Sequence, residues 1–514
     1  MFPTVGDIYC TYSNQLQQYT ACQVTALQET EGKNPQMLAS IVQLDWSGDQ
    51  PLENDQLAQL KPLIRSFYFW NGDWDHRFVE ATIPADYSLV GNIPPLVATP
   101  SHTYDTNWDI GDSLYQQRKW EAIDEKRRQL FKNARNDTGE IMIGGVLVKK
   151  NTSTLRNFSP ASDADIAALE QLYCLTHIEM NYFTEAIIPF LQQHPFVNEL
   201  HIDQHDLKTL DLSHTHLSCL ILHRGNLETL TLNKHMEFLS LTGEHTSPLH
   251  VHADQDGCDL TLSVYVPSSF PALTGLDRLH TLQIHGIEQL DLEIVTTMYT
   301  ELNELRLTGK PGTISGLLSI KRLRALQFLS MFDLFGFTGD DFPDPEQLPQ
   351  LRTLWLTSLP ADAARSIKAR YKKAASTTIE LDITQPRKPE WLAENLNNPF
   401  RDWDGRAHIK ATDAKKAATL YKQCLKNIRN WTQTVPDRIT LTAQLTAMIE
   451  MYTETFNQMD AQSAFIDTIE REEIYAALNE LFHYLQQQLV SRSEPVLDVH
   501  LEELEHVFQH HREF

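Results

Sequence analysis

The chain has 514 residues, which is too long for one compact core, so two or three structural units are expected. Its composition, 41% hydrophobic and 22% charged, is typical of a soluble globular protein, and no apolar run is long enough for a membrane span. The formal net charge of −25 disfavours nucleic acid as a partner and is compatible with a basic protein partner.

The first residues and the cysteines indicate the cell compartment. Residues 1–7 contain neither the basic nor the apolar region of a secretory signal. The six cysteines form no Cys-x-x-Cys pair, so we expect neither a disulfide framework nor a redox or metal motif built on cysteine. These features predict a cytoplasmic protein that needs no cofactor.

Residues 1–100 are predicted to form a small β-rich unit. Short apolar or alternating segments bounded by polar turns predict five strands, and Asn71-Gly72-Asp73 is a typical hairpin turn between the last two. Five short strands favour a strongly bent sheet or barrel. The predicted strands cover residues 5–10, 19–27, 38–46, 67–70 and 77–83.

The opening of this unit carries a short motif. The order is Gly6-Asp7-Ile8-Tyr9, then Tyr19, then Gln23-Val24. It resembles the opening of small β-barrel immunity proteins that are found beside bacterial polymorphic toxins. That resemblance implies a module for recognising a toxin or another protein.

Residues 101–195 are predicted to be a mixed α/β connector that caps the central part of the chain. An amphipathic helix is expected over 113–134, with Leu114, Trp120 and Leu130 buried. A strand over 141–149 contains a turn or bulge at Gly144-Gly145. Two further helices are predicted over 163–172, capped by Ser162 or Asp163, and over 183–194.

An apolar-x-x-apolar-x-apolar hexamer recurs through the middle of the chain. It starts at residues 207, 217, 227 and 236, and again at 279, 287, 302, 326 and 351. About ten residues cannot go around a complete coil, so two of the closely spaced hexamers should make one coil with a strand on each face. From 279 the longer spacing predicts a helical or irregular return, with the hexamer at 287 on the return side.

These hexamers resemble the leucine-rich repeat superfamily of bacterial type over residues 196–383. Residues 207–217 match the family's L-x-x-L-x-L-x-x-N-x-L layout, but Thr215 stands in place of the asparagine, and Gly225 and His235 take the later equivalents. The family's buried asparagine ladder is therefore expected to be missing. The resemblance implies a curved solenoid, here residues 196–385, whose strand face binds proteins.

Strand alternation predicts which side chains leave the core. The leucines point inward, and most residues between them are polar. Phe328, Phe332 and Trp355 are the exceptions, and neighbouring strands would bring them together. With Arg306 and His285 nearby, they are the predicted protein-binding residues, because aromatic and arginine side chains anchor protein interfaces. The alternative is that a terminal unit of the chain folds over this patch.

Residues 386–514 are predicted to be a helical domain. Helices are expected over 412–431, 437–459, 466–489 and 495–510, with short loops that are typical of a bundle. Such a bundle would cap the last coil or act as a separate interaction module. The complete fold is therefore predicted to be α+β and multi-unit: a β-barrel-like unit, a leucine-rich repeat solenoid and a helical bundle.

Few residues indicate catalysis. His250 and His252 share one side of a predicted strand and would hold a metal ion with Asp254, although polar histidines on a strand face are the more ordinary interpretation. The junction residues Asp402, Asp404 and Arg406 favour a salt-bridge cluster. Cys424 lies beside a predicted apolar helix face, which favours a packed thiol over a nucleophile.

The combined prediction is a non-enzymatic, bacterial-type cytoplasmic protein that binds another protein through its repeat surface. A toxin-neutralising role follows from the acidic charge and the resemblance at the start of the chain. Two alternatives stay open: a metal-dependent hydrolase that uses His250, His252 and Asp254, and a secreted effector that binds host proteins. No pattern in the sequence indicates an oligomeric state.

Overall fold

The computed structural model describes residues 2–30, 35–99, 101–105, 107–243, 248–266, 269–406, 408–434, 438–490 and 501–514. The chain divides into two compact units. The first is Met1–Asp256 with Ala272–Gly275, and the second is Gly257–Pro271 with Leu276–Phe514. The division therefore falls inside the predicted repeat region.

The first unit begins with a five-stranded antiparallel sheet. Its strands pair in the order β6-β3-β2-β1-β7, so the described strands form an open sheet and not a closed barrel. A separate pair, β4 and β5, forms a small hairpin. The strands are β1 (Asp7–Ser13), β2 (Gln18–Glu29), β3 (Met37–Gly48), β4 (Ile64–Arg65), β5 (Asp73–Trp74), β6 (His76–Glu80) and β7 (Ser88–Asn92).

Alternation along these strands gives the sheet two apolar faces. Ile8 and Val42 belong to one buried cluster, while Tyr9 and Ile41, their chain neighbours, belong to another. The first three predicted strands are confirmed, and the strand at 77–83 is confirmed as β6. The strand at 67–70 is wrong, because these residues form a turn, and β7 supplies the fifth strand.

The segment after this sheet mixes short helices and strands. The single helix expected over 113–134 is two helices, because Asp124 interrupts it and its carboxylate accepts a hydrogen bond from the backbone N–H of Arg127. Phe131 is buried where Leu130 was expected, and Leu130 is only half-buried. The elements are α1 (Asp112–Ala122), α2 (Glu125–Ala134), β8 (Glu140–Ile143), β9 (Val146–Lys149), β10 (Thr154–Phe158), α3 (Asp163–Leu169), β11 (His177–Met180) and α4 (Ile188–Gln193).

The closely spaced hexamers form strands that alternate between two parallel sheets. In the first unit one sheet has the order β10-β11-β12-β14-β16 and the other β13-β15-β17-β19. The prediction that successive hexamers lie on two faces is therefore confirmed. The strands are β12 (Glu199–Ile202), β13 (Thr209–Asp211), β14 (Cys219–His223), β15 (Thr229–Thr231), β16 (Phe238–Thr242), β17 (Leu249–His252), β18 (Thr261–Tyr265, in the second unit) and β19 (Leu273–Thr274).

A buried asparagine does lie between these coils, two residues before the expected position at His235. Asn233 is buried, and its amide donates hydrogen bonds to Thr215 Oγ1 at 3.2 Å and to the Leu217 carbonyl at 2.9 Å. Its side-chain oxygen accepts from the backbone N–H of His235 at 2.7 Å. One buried asparagine does not make a ladder, so the expectation that the family's asparagine ladder is missing is not overturned.

The widely spaced hexamers of the second unit form one parallel sheet in the order β18-β20-β21-β22-β23-β24. The returns are helical, as predicted: α5, a 3₁₀ turn over Leu317–Arg322, and α6. The hexamer at 287 differs, because it extends β20 past Gly286 and α5 makes the return. The elements are β20 (Thr281–Asp291), α5 (Leu292–Met298), β21 (Glu304–Ser315), β22 (Phe328–Phe335), β23 (Thr353–Thr357), α6 (Ala361–Ala375) and β24 (Glu380–Thr384).

Helices follow the last strand, also within the second unit. Their shared core includes Trp403, Tyr452, Phe456 and Phe508, each fully buried. The start predicted at Asp437 and the segment 495–500 of the last predicted helix lie outside the described residues. The helices are α7 (Pro389–Asn395), α8 (Ala411–Thr434), α9 (Arg438–Ser463), α10 (Thr468–Val490) and α11 (Leu501–His511).

The molecule is thus a mixed α/β protein with parallel sheets in its repeat-bearing part and helices at its C-terminal end. Over the described residues, every helix is too short or too polar to cross a lipid bilayer.

Candidate functional site

The outward face of the second unit's sheet positions the predicted binding residues. On β21, β22 and β23 the inward leucines Leu305, Leu329 and Leu354 have no exposed surface. The residues between them point the other way, as strand alternation requires. In the strand register Phe328 lies beside Glu304 and Thr353, so an aromatic ring from β22 reaches both neighbouring strands.

Arg306, Phe328 and Trp355 form a stack that we call the strand-face cluster. The guanidinium carbon of Arg306 lies 4.4 Å from the centre of the Phe328 ring. The Phe328 and Trp355 rings meet edge to face, with centres 5.0 Å apart and planes at 78°. Both geometries are favourable for cation–π and aromatic pairs. The structure therefore brings together three of the five predicted residues.

Two glutamates hold the cluster in place. Arg306 Nε donates to Glu304 Oε1 at 2.5 Å, and Trp355 Nε1 donates to Glu380 Oε1 at 3.2 Å. Neither acid was predicted from the sequence, since a charged residue on a strand face looks like an ordinary solvated side chain. The alternation itself was the available signal, because it places Glu304 and Arg306 on the same side of β21.

Phe332 and His285 lie on the same sheet but outside the stack. Phe332 is half-buried, in register with Thr308 and Thr357, and its ring contacts no other aromatic ring among the described residues. His285 is half-buried on β20. Burial lowers the pKa of His285, and the nearby positive charge of Arg306 lowers it further.

The strand-face cluster is open to solvent. Trp355 exposes 38% of its surface, the Arg306 side chain exposes 41%, and Phe328 is half-buried. The alternative prediction was that another part of the chain buries this patch. It does not hold for Trp355, which stays partly exposed. A partly exposed tryptophan beside an arginine is typical of the residues that anchor protein interfaces.

The predicted metal residues in the first unit only partly come together. The His250 and His252 rings lie 4.3 Å apart on β17, and His250 Nδ1 is 2.8 Å from Thr274 Oγ1. The Asp254 carboxylate does not lie close enough to the ring nitrogens of both histidines to form a group of three ligand atoms. Within the described residues, these three side chains therefore do not form a preformed metal site.

The junction before α8 contains salt bridges, but the predicted residues Asp402, Asp404 and Arg406 do not pair with one another, and Asp404 pairs with Arg387 instead. Asp333, at the end of β22, is fully buried and accepts a hydrogen bond from Arg401 Nε at 2.7 Å. Burial, together with the nearby negative charge of Asp333, raises the pKa of Asp402 to about 6. Arg406 pairs with Glu470 and Glu473.

Cys424 is buried within the helical core, as expected for a packed thiol. Burial raises its pKa to about 12. The thiol is therefore protonated at neutral pH, which is unfavourable for a nucleophile.

Comparisons with known proteins add little to these observations. No family model matches the chain, and no curated protein matches it. Among solved structures, an internalin from Listeria monocytogenes is similar over 48% of this chain and 91% of its own, at 16% identity and a TM-score of 0.24. The description of this chain as a repeat protein therefore rests on its own hexamers and strand pairing.

Proposed function

We propose that this chain is a non-catalytic repeat protein that binds another protein through the outward strand face of its second unit. The observation that carries the proposal is the strand-face cluster, in which Arg306, Phe328 and Trp355 stack on one another and stay open to solvent. A few residues supply most of the binding energy in protein interfaces, and tryptophan, tyrosine and arginine are enriched among them.

The support around the cluster favours binding without rearrangement. Glu304 fixes the guanidinium of Arg306, Glu380 fixes the indole of Trp355, and the sheet backbone below them is continuously hydrogen-bonded. Side chains that are already ordered lose little conformational entropy on association. A partner would therefore meet a rigid surface.

The charge of this surface favours a partner with basic side chains. Asp382 is exposed on β24, in register with Trp355, and Glu380 lies on the same strand. These carboxylates border the aromatic anchor, and the whole chain carries a formal charge of −25. Opposite charge across an interface speeds encounter and fixes the orientation of the partner. We therefore propose a partner segment that combines an apolar anchor with lysine or arginine.

Several finer predictions accompany this proposal. We propose that residues 196–385 form a leucine-rich repeat solenoid with this strand face on its concave side. Binding of this kind needs no cofactor. The toxin-neutralising role remains a prediction from the sequence, and a search for toxin genes adjacent to this gene would test it. The cytoplasmic location is also a prediction, and cell fractionation would test it.

The proposal is tested by affinity capture from cells of the source organism, followed by affinity measurement with the recovered partner. We compare wild type with a Phe328→Ala, Trp355→Ala variant. Truncating an interface anchor costs about 2 kcal/mol, so affinity should fall by at least about thirtyfold.

Trp74→Ala is the matched control, because Trp74 exposes 42% of its surface in the first unit. This variant should keep wild-type affinity. Equal binding by the double variant and wild type, with both proteins folded, would show that the strand-face cluster is not the interface.

A further inference from the structure

Histidine and glutamate alternate on the neighbouring parallel strands β11 and β12. His177 pairs in register with Glu199, and Glu179 with His201. The residues between them on each strand, Ile178 and Leu200, are fully buried. All four polar side chains therefore leave the same face of the sheet, in a two-by-two array.

The carboxylate of Glu199 hydrogen-bonds the His201 ring and lies within ion-pair distance of the His177 ring. Its Oε2 lies 3.2 Å from His177 Nδ1, and its Oε1 lies 2.8 Å from His201 Nε2. The two ring centres are 4.5 Å apart. One carboxylate thus engages one nitrogen of each histidine, so the second nitrogen of each ring is left for another ligand.

The second nitrogen of His177 lacks a hydrogen-bond partner. His177 Nε2 is buried and makes no hydrogen bond, although Glu179 Oε1 lies 3.4 Å away. A buried polar atom of this kind is costly unless something binds it. Donor atoms of tetrahedral zinc lie roughly 3.3 Å apart, which is close to the separation of this nitrogen from the Glu179 oxygen.

A third donor completes the group. One ligand atom from each of His177, Glu179 and His201 lies within 4.8 Å of the others, and no other set of three such side chains does so in the part of the chain that the structure describes. These three side chains are therefore close enough to be candidate ligands of one ion.

We propose that His177, Glu179 and His201 bind a divalent transition-metal ion, with Glu199 as the residue that positions both histidines. Two histidines and one glutamate leave the fourth position of a tetrahedral ion for water. A carboxylate that accepts from the non-ligating nitrogens of the histidines is the usual support for such a site. Imidazole and carboxylate together suit zinc and its neighbours in the first transition series.

The surroundings allow an ion to enter. The side chains of His177, Glu179 and His201 expose 18%, 31% and 24% of their surface. Arg156 lies 3.5 Å from Glu179, but its side chain is 73% exposed and can turn into solvent. The histidines lie on a hydrogen-bonded sheet, so their separation does not depend on a flexible loop.

The test uses the full chain, stripped with a chelator and titrated with Co²⁺, whose visible spectrum reports tetrahedral coordination. Zn²⁺ then displaces Co²⁺ in competition. Wild type should bind one equivalent with a tetrahedral spectrum, and a His177→Asn, His201→Asn variant should lose that spectrum. Glu199→Gln should weaken this equivalent about 10- to 100-fold, the usual effect of removing an orienting carboxylate.

The matched control is His250→Asn, His252→Asn, which removes a histidine pair with rings 4.3 Å apart and should leave the tetrahedral equivalent unchanged. Loss of the spectrum in this control, its absence in wild type, or its retention in the His177→Asn, His201→Asn variant would each overturn the proposal. If that double variant does not fold by circular dichroism, Glu179→Gln decides: loss of the tetrahedral spectrum supports the site, and wild-type binding overturns it.

Discussion

Two strands that begin with the same three residues, β16 and β22, show what the repeat spacing does. Both begin Phe-Leu-Ser, with Phe238 and Phe328 half-buried on the outward face and Leu239 and Leu329 fully buried. After β16 the next strand, β17, belongs to a different sheet, whereas after β22 the next strand, β23, continues the same sheet. The hexamer therefore determines burial, and the distance to the next hexamer determines which strand becomes the neighbour.

The same comparison separates the two proposed sites. Outward positions on β11 and β12 carry histidine and glutamate, and those on β21 to β23 carry arginine and aromatic rings. The buried aliphatic residues are alike in both regions. Different ligands, a metal ion in the first unit and a protein in the second, are thus proposed for similar strand frameworks.

The largest expected effect tests whether the two regions share one kind of core. Leu239→Ala and Leu329→Ala each remove a fully buried side chain and leave a cavity. Each should lower the free energy of unfolding by about 3–5 kcal/mol. Hydrogen exchange of peptides that cover β16 and β22 measures the loss within each unit.

The adjacent serines provide the controls, because Ser240 and Ser330 are half-buried on the outward face. Ser240→Ala and Ser330→Ala should change stability by less than about 1 kcal/mol. If Leu239→Ala cost much less than Leu329→Ala, the closely spaced coils would not be packed like the wider ones, and the comparison would fail.

Much of the repeat architecture could be predicted from the sequence because the geometry of the strands determines the spacing of the buried leucines. The hexamers at 207–236 are about ten residues apart, which is too few for a complete coil. This spacing was enough to predict two sheets. The same kind of pattern failed at residues 67–70, where Tyr68 has a φ of +41° and packs against Trp120 and Phe131. Contacts distant in sequence, and not strand propensity, determine that segment.

The candidate sites were less predictable because they depend on register between strands. Alternation identified Arg306, Phe328 and Trp355, which need only the face of a strand. The sequence does contain His-x-Glu at 177–179 and Glu-x-His at 199–201. These two motifs lie side by side because His177 pairs with Glu199, and this pairing is known only from the strand register. The prediction from the sequence was His250 and His252 instead, because they share one side of a predicted strand.

A smaller effect should distinguish the closely spaced coils from the wider ones. Asn233→Ala removes a buried amide that makes three hydrogen bonds, and it leaves the Leu217 carbonyl and the His235 N–H without these partners. The expected loss is about 2–3 kcal/mol in the free energy of unfolding. Urea denaturation, combined with hydrogen exchange of the 209–242 segment, measures this loss.

Lys234→Ala is the control beside it, because Lys234 is exposed and should cost less than about 0.5 kcal/mol. If Asn233→Ala were as mild as this control, the hydrogen bonds of Asn233 would contribute nothing to the stability of the closely spaced coils. Leucine packing would then be enough to stabilise them.

The smallest effect concerns the second unit, where the half-buried carboxyl of Asp402 lies near the carboxylate of Asp333. The ordinary pKa of an aspartate is 3.8, and that of Asp402 is raised to about 6 by burial and by Asp333. The folded state therefore binds this proton more tightly than the unfolded state does. Between about pH 4 and pH 6 this group lowers the free energy of unfolding as pH rises, and the full cost is present at pH 7.

Asp402→Asn replaces the ionised group with a neutral one of the same shape. At pH 7.5 the variant should be more stable than wild type by about 1–2 kcal/mol, less than the shift alone implies because a buried amide also needs hydrogen bonds. The difference should vanish near pH 4, where wild-type Asp402 is protonated in the folded state and the cost of ionising it is absent. Urea unfolding at pH 4, 5, 6 and 7.5 measures it, with exposed Asp340→Asn as the control. The positive charges of Arg387, Arg401 and Arg406 lie near Asp402 and favour its ionised form. A variant that is less stable than wild type at pH 7.5 would mean that these arginines need the ionised Asp402, and that charge pairing stabilises the junction.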